Sequence, residues 1–113
     1  MDELPTAGWL ETMLLLFDLR TEYRVEGDSM MPTLKPGDRV LVDENAQVNP
    51  GDIVIARHPF KQDLEMVKRI REIDTSGNYF LISDNPAEST DSRSFGAVSP
   101  KCIRGRVMCR LGS

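Results

Sequence analysis

The sequence predicts a mostly β protein: one antiparallel β-sheet or barrel-like domain over residues 22–113, preceded by a short amphipathic helix within residues 1–21. The length of 113 residues is that of a single domain. From Glu22 onward, short runs rich in β-branched and aromatic residues alternate with turn sequences. No helical periodicity lies between those runs, which favours an all-β body over an α/β one.

The first segment has a different pattern from the rest of the chain. Apolar residues recur there at helical spacing, with Thr6 as a candidate N-cap. They are Trp9, Leu10, Met13, Leu14, Leu16 and Phe17. Two interpretations stay open: a helix packed on its own domain, or an interfacial helix through which Trp9–Phe17 contacts a membrane or a partner. The longest apolar run, Met13–Phe17, is far shorter than the roughly 20 residues of a membrane-spanning helix, so no transmembrane span is expected.

The remaining elements are strands separated by turns. The predicted strands are Tyr23–Glu26, Arg39–Val42, Ile53–Arg57, Glu65–Ile73, Tyr79–Ile82 and Ile103–Leu111. Turn signals separate several of them, at residues 35–38 (KPGD), 49–52 (NPGD) and 76–78 (SGN). The sequence contains no internal repeat and no low-complexity tract, so it indicates one domain.

Composition excludes some classes of function. Lys and Arg total 14 against 18 Asp and Glu, for a net charge of −4, which argues against a nucleic-acid partner. Cys102 and Cys109 are too few for a disulfide scaffold or a zinc cluster, and we expect both to be small core residues. Asp2 and Glu3 stand where a secretory signal would be basic. These observations predict a cytoplasmic protein, with peripheral membrane association as the alternative.

The sequence gives little support for a catalytic histidine or for a metal site. His58 is the one histidine, and its place after a predicted strand indicates a surface or rim position rather than membership of a Ser-His-Asp triad. A single histidine with scattered carboxylates lacks the ligand spacing of a metal site. We therefore expect neither a metal nor another cofactor.

A lysine offers a different general base. Strand alternation puts Lys68 on the same face as Met66 and Ile70. A lysine among apolar neighbours is desolvated, which disfavours the ammonium form, and a neutral amine is a competent base near neutral pH. The alternative is an edge-strand lysine whose amine reaches water.

Ser29 is the candidate nucleophile. It follows Gly27 and Asp28 and precedes two methionines and a proline, on a loop that the sequence predicts to be constrained. Such a loop would hold the hydroxyl and its own N–H in fixed positions, as nucleophilic attack and an oxyanion hole require. By itself the segment is also compatible with an ordinary turn.

Four segments, in order, resemble the signal peptidase I family of Ser/Lys endopeptidases. They are residues 27–34 (GDSMMPTL), 35–42 (KPGDRVLV), 67–70 (VKRI) and 84–96 (DNPAESTDSRSFG). The resemblance covers roughly residues 22–108. Together with residues 57–60 (RHPF), the last segment resembles the maturation proteases of nickel-type superoxide dismutase.

The resemblance implies a role for each matching residue. Ser29 would be the nucleophile, Lys68 its general base, and Ser89 the hydroxyl that orients the lysine amine. The supporting residues it implies are Gly27 and Asp28 in the nucleophile loop and a structural ion network of Asp91, Arg93 and Arg69. Met30 would pack beneath the loop as a core residue.

Two residues depart from the family pattern, and we expect no membrane anchor. Gly27 stands where some members carry a hydroxyl that donates to the oxyanion, and Ser83 stands where a glycine commonly precedes the Asp-Asn pair. The segment Trp9–Phe17 takes the place of the family's N-terminal anchor.

The resemblance also implies a substrate: a precursor protein with an N-terminal extension, namely nickel superoxide dismutase. Three alternatives stay open. They are a general signal peptidase at the membrane surface, a self-cleaving protein of the LexA type and a non-enzymatic β-barrel binding module.

Overall fold

The computed structural model of the chain describes Leu4, Gly8 and residues 20–88 and 90–111. The predicted N-terminal helix, with its candidate membrane contact, and Ser89 lie outside these residues. The predicted division between residues 1–21 and 22–113 therefore stays a prediction.

Six antiparallel strands form one curled half-barrel sheet, which confirms the predicted mostly-β class. The strands are β1 (Thr21–Arg24), β2 (Arg39–Asp43), β3 (Ile53–Arg57), β4 (Glu65–Ile73), β5 (Tyr79–Ile82) and β6 (Ile103–Arg110). Their spatial order is β1-β2-β6-β3-β4-β5, so the last strand of the chain lies between the second and the third. A four-residue helix, α1 (Ser92–Phe95), and a 3-10 helix (Pro100–Cys102) occupy the connection from β5 to β6.

The predicted strands match the observed ones closely, and β3, β4 and β5 agree at both ends. β1 begins and ends two residues earlier than predicted. Pairing nevertheless continues past Arg24, because Val25 N–H donates to the Asp38 carbonyl and the Gly37 N–H donates to the Val25 carbonyl. The turn at residues 35–38 thus holds the chain at the entrance to the Ser29 loop.

The sheet is buried on both faces in its middle. β3 is apolar at four successive positions, and its alternate residues enter two separate core clusters. Ile53 and Ile55 pack in the first cluster, whereas Val54 and Ala56 pack in the second. β4 runs beside β3 and is buried from Met66 to Ile70, so the centre of this strand carries its side chains into dry surroundings. That burial determines the environment of Lys68.

His58 is buried, so the prediction of a surface or rim histidine is wrong. Its exposed fraction is 7%, and its ring lies 4.9 Å from that of Phe95. The His58 N–H donates to the Leu64 carbonyl and Nδ1 accepts the Phe60 N–H, so the residue closes the connection between β3 and β4. Burial, reinforced by the Lys61 charge, lowers the pKa of His58. The ring has a structural place in that connection.

Both cysteines are buried free thiols, as predicted. Cys102 belongs to the second core cluster and lies in the 3-10 helix that precedes β6, and Cys109 lies within β6.

Candidate active site

Ser29 lies on a tight loop, residues 26–34, that is anchored by buried apolar side chains. Met30 and Leu34 are fully buried in the first core cluster, which confirms the core position predicted for Met30. The Met31 N–H donates to the Asp28 carbonyl, and the Leu34 N–H donates to the Met30 carbonyl. These contacts fix the backbone on both sides of Ser29.

Gly27 starts this loop in a left-handed conformation, with φ at +75°. A Cβ at Gly27 would meet no atom within 4 Å, so space does not exclude a side chain. Backbone strain disfavours a side chain at this position, because residues with a Cβ rarely adopt this φ. A hydroxyl residue at position 27 would therefore require a different loop conformation.

A second segment, Asp84 and Asn85, holds the Ser29 loop from the other side. The Asn85 N–H donates to the Ser29 carbonyl at 2.9 Å, and Asn85 Nδ2 donates to the Asp28 carbonyl at 3.0 Å. Thr33 Oγ1 donates to Asp84 Oδ2 at 2.6 Å. Three hydrogen bonds thus tie the loop to the end of β5, far away in the chain.

Arg69 fixes Asp84 in turn. Its guanidinium donates from Nε and Nη2 to the two carboxylate oxygens, each at 2.8 Å, and from Nη1 to the Gly51 carbonyl. Burial acts to raise the pKa of Asp84, but the hydrogen bonds from Arg69 and Thr33 act with the Arg69 charge in the opposite direction, and the net effect holds that pKa below its ordinary value. Arg69 therefore belongs to an ion pair with Asp84, separate from the pair of Asp91 and Arg93.

Lys68 lies in the middle of β4 and is 3% exposed. Its Nζ donates to Ser83 Oγ at 3.0 Å. Burial lowers the pKa of Lys68, the Glu88 and Asp91 charges act in the opposite direction, and the Arg93 charge adds to the lowering. The net direction is toward the neutral amine. An amine that reaches water, the alternative left open by the sequence, does not fit this burial.

Asp91 and Arg93 support the lysine through Ser83. The buried Asp91 carboxylate accepts the Ser83 N–H at 2.9 Å and pairs with Arg93 Nη2 at 2.9 Å. It also caps α1 by accepting the Arg93 N–H. Burial acts to raise the pKa of Asp91, but these hydrogen bonds and the Arg93 charge act in the opposite direction, and the net effect lowers the pKa. Arg93 also donates to the Glu88 carbonyl.

Ser29 and Lys68 line the same cavity, which has a volume of about 320 Å³. Its other described lining residues are Tyr23, Glu26, Gly27, Asp28, Leu64, Glu65, Met66, Val67, Glu88 and Thr90. Ser29 Oγ donates to the Val67 carbonyl at 3.4 Å, one residue from Lys68. This long hydrogen bond is weak, so the hydroxyl can turn from the carbonyl at small cost. Hydrogen bonds of an active site are often long before substrate binds.

Sequence reasoning gave no role to Ser83, Thr33, Asp84 or Asn85. The predicted strand bounds could not have placed Ser83 opposite Lys68. Ile73 pairs with Tyr79, and that register continued without interruption would bring Lys68 opposite Asp84. An irregularity between Ile70 and Glu72 shifts the pairing by one residue, so that Arg69 faces Ile82 and Lys68 comes opposite Ser83. The contacts of Thr33 and Asn85 join loops about 50 residues apart, for which the sequence carries no local signal.

Comparison with known proteins identifies the family. The model of the family described as Peptidase S24-like matches residues 21–107, most of the chain and every described residue of this cavity. The chain belongs to the Peptidase S24-like family. This membership supports the broader resemblance to peptidases of the signal peptidase I type.

Several proteins with sequences similar to this chain are named as protease subunits. Mitochondrial inner membrane protease subunit 1 of Xenopus tropicalis is 31% identical over 108 residues, covering 75% of this chain and 65% of the relative. Subunit 2 of Danio rerio is 30% identical over 121 residues, covering 85% of this chain and 66% of the relative. A mitochondrial ATP-independent inner membrane protease subunit 1b of Arabidopsis thaliana is 29% identical. The chain thus spans about two-thirds of the length of these relatives.

The prediction of a cytoplasmic protein is wrong. The relatives of this S24-like chain are named as inner membrane proteases, which points to membrane association. Among the described residues, no helix has the length and apolar character needed to cross a bilayer. The same residues hold no group of three or more His, Cys, Asp or Glu side chains arranged for a metal ion.

Proposed function

We propose that the chain is a serine endopeptidase in which Ser29 is the nucleophile and Lys68 is the general base. The observation that carries this proposal is the cavity lined by both residues, in which the lysine is almost fully buried and its pKa is lowered. A solvated lysine with a pKa near 10.4 would hold its proton at neutral pH and could not act as a base. Membership of a peptidase family adds independent support.

The reaction follows from these two groups. The neutral Lys68 amine takes the hydroxyl proton as Ser29 Oγ attacks the scissile carbonyl carbon, giving a tetrahedral intermediate and an ammonium. The ammonium then gives its proton to the leaving nitrogen, and the C–N bond breaks to leave an ester on Ser29. Lys68 next deprotonates a water molecule that attacks this ester, and its proton returns to Ser29 Oγ as the acid product leaves.

The oxyanion of each intermediate needs N–H donors. Among the described residues, no acceptor is bonded to the Ser29 N–H, so this group is free to donate to the oxyanion. The bonds from Asn85 to the carbonyls of Ser29 and Asp28 hold the loop that carries it. Preorganised donors of this kind are effective because no rearrangement is needed during the reaction.

The substrate that we propose is a precursor protein carrying an N-terminal extension. Nickel-type superoxide dismutase, which the sequence resemblance implies, is the first precursor to test. The names of the relatives do not point to that substrate, and they describe subunits of inner membrane proteases. A general precursor processed at a membrane surface is therefore the second candidate.

The test is cleavage by purified protein of both precursor types, followed by mass spectrometry of the new N-termini. We expect one defined cut by the wild type and a loss of at least about 100-fold in Lys68→Met, the range for removal of a general base. Ser29→Ala removes the nucleophile itself, so its loss should be at least as large. Lys68→Arg should fail as well, because guanidinium does not deprotonate. Lys101→Met, a change of an exposed lysine, is the matched control. Equal cleavage by Ser29→Ala and wild type would contradict the proposal.

We also propose that the protein works at a membrane surface, using the segment Trp9–Phe17. The inner membrane location in the names of the relatives and the apolar helical pattern of this segment support it. Trp9 is the sole tryptophan, so its fluorescence reports on that segment alone. Added phosphatidylcholine–phosphatidylglycerol vesicles should shift the emission to shorter wavelength, and Leu14→Glu should weaken this shift. An unchanged spectrum at saturating lipid would contradict a membrane contact.

A further inference from the structure

The amine of Lys68 meets a hydroxyl that faces it across the sheet. Arg69 of β4 pairs with Ile82 of β5, so the next position of the ladder brings Lys68 opposite Ser83. Their side chains meet at 3.0 Å, and the two residues are 3% and 8% exposed. Water therefore competes little for this hydrogen bond, which makes its geometry well defined.

Ser83 is itself held in place by a buried carboxylate. Its N–H donates to Asp91 Oδ2, and Asp91 is fully buried and fixed by Arg93. The residue that follows, Asp84, is held by Arg69 and Thr33. The Ser83 hydroxyl thus projects from a backbone whose two sides are both anchored.

The hydrogen-bonding capacity of the two groups indicates how Ser83 orients the Lys68 amine. A neutral amine has two N–H donors and one lone pair, and a serine oxygen accepts one N–H. We propose that Ser83 is the positioning residue of Lys68: its oxygen holds one N–H of the amine and thereby directs the lone pair into the cavity lined by Ser29. This inference rests on the proposed function, because it assigns a role in the same reaction.

The assignment differs from the one implied by resemblance. There the orienting hydroxyl was that of Ser89, and position 83 carried a glycine, which has no side chain to contact the amine. The present chain has a serine at both positions. Separate substitutions at residues 83 and 89 therefore distinguish the two assignments.

The Lys68 pKa can report on the contact with Ser83, provided that the charges around the amine stay the same. Glu88, Asp91 and Arg93 act on the amine, and the acidic residues Glu26, Asp28 and Glu65 line the cavity with it, beside Tyr23. Substitution of Ser83 by alanine changes none of these charges. Because a hydrogen bond to the charged form favours that form, loss of the Ser83 oxygen should destabilise the ammonium.

The first measurement needs no substrate. The chain has four lysines, so their side-chain carbon signals can be followed by NMR as pH is varied, with Lys68→Met giving the assignment. Ser83→Ala should move the Lys68 midpoint to lower pH. Ser92→Ala removes another buried serine hydroxyl, one that accepts the Leu81 N–H, and should leave the Lys68 midpoint in place. An unchanged midpoint in Ser83→Ala would overturn the proposed contact.

The second measurement is the pH profile of precursor cleavage. Ser83→Ala should lower kcat about tenfold or more with little change in KM, and should move the acidic limb of kcat/KM to lower pH. Ser83→Thr, which keeps the hydroxyl, should recover most of the rate. A larger loss in Ser89→Ala, with Ser83→Ala close to wild type, would overturn the positioning role.

Two further provisions allow the result to be interpreted if a variant does not fold or if no cleavage is seen. If Ser83→Ala does not fold, Ser83→Cys replaces it, since a thiol is a weak acceptor of similar size. If wild-type protein gives no Ser29-dependent cleavage of any precursor, the proposed function fails. The NMR titration then still decides whether Ser83 holds the amine.

Discussion

At the scale of single residues, the proposed chemistry depends on the burial of one lysine, Lys68, in β4. Lys68 has the same covalent structure as the exposed Lys61 and Lys101, yet it alone lies in the dry centre of the sheet. Burial penalises the ammonium and lowers the pKa, whereas Glu88 and Asp91 limit the lowering. The balance of these effects should determine the pH at which the proposed peptidase becomes active.

The pH profile gives the first prediction. If the neutral amine is the general base, as proposed, kcat/KM should rise with pH through the Lys68 pKa, and this limb should lie below the ordinary value of 10.5. Glu88→Gln removes a charge that favours the ammonium, so it should move the limb to lower pH. Glu22→Gln, in an exposed pair with Arg39, is the control. A limb that moves to higher pH in Glu88→Gln would contradict this account.

At the scale of elements, two loops distant in the chain are clamped together at Ser29, the proposed nucleophile. Residues 26–34 carry Ser29, and Asp84 and Asn85 follow β5. Thr33 and Asn85 supply side-chain bonds between them, and Arg69 anchors the clamp to β4. The position of the proposed nucleophile should therefore depend on this clamp.

Thr33→Val tests the clamp. It removes a hydrogen bond to the buried, charged Asp84, so we expect a loss of about 1–3 kcal/mol in the free energy of unfolding and a several-fold loss in kcat. Thr21→Val removes a similar bond, to Glu44, at an exposed site whose two residues do not line the cavity of Ser29. It should change stability little and kcat not at all. Urea unfolding and cleavage rates measure both effects, and equal kcat losses in the two variants would argue against the clamp.

The packing of β2 against β6 gives a second prediction at this scale. A Cβ at Gly105 would lie 2.5 Å from Val42 Cγ1 and 2.9 Å from the Asp43 carbonyl oxygen. Gly105→Ala should therefore destabilise the fold by about 1–3 kcal/mol through overpacking. Gly77→Ala introduces backbone strain without a close contact, since φ is +83° and nothing lies within 4 Å. It should cost about 1 kcal/mol. Urea unfolding that ranks Gly77→Ala as the more damaging would contradict the steric account.

At the scale of the whole molecule, two buried carboxylates tie the ends of the site to the sheet. Asp84 connects β4 with the Ser29 loop, and Asp91 connects the end of β5 with α1. Both side chains are 0% exposed, and both have pKa values below their ordinary value of 3.8. The folded state therefore favours their charged forms more than the unfolded state does.

The lowered pKa values of Asp84 and Asp91 predict how the stability of the fold changes in acid. The contribution of a carboxylate with a depressed pKa is complete above its unfolded pKa of about 3.9, and it is lost as pH falls toward the folded value. Urea unfolding should therefore show a stability that is steady near neutral pH and declines as pH falls through about 4. Asp91→Asn should be less stable at pH 7 and should decline less steeply. Asp63→Asn, a change of an exposed carboxylate, should keep the wild-type slope. A wild-type curve without decline between pH 5 and 3 would contradict this account.

Much of the fold could be predicted from the sequence because its signals are local. Turn residues and β-branched runs lie within a few positions of each other, so the bounds of β3, β4 and β5 matched the structure. His58 was assigned wrongly because its burial comes from Phe95, which is remote in sequence and packs against the ring. The bonds from Asn85 and Thr33 escaped prediction for the same reason.

The sequence by itself determined the β class, the bounds of β3, β4 and β5, and the peptidase family, since each is encoded in short segments read in order. The tertiary structure alone decided that Lys68 is dry, that Ser83 meets its amine and that Asp84 clamps the Ser29 loop. These facts depend on strand register and on the elements that cover a side chain, and such contacts join residues whose separation along the chain carries no local pattern.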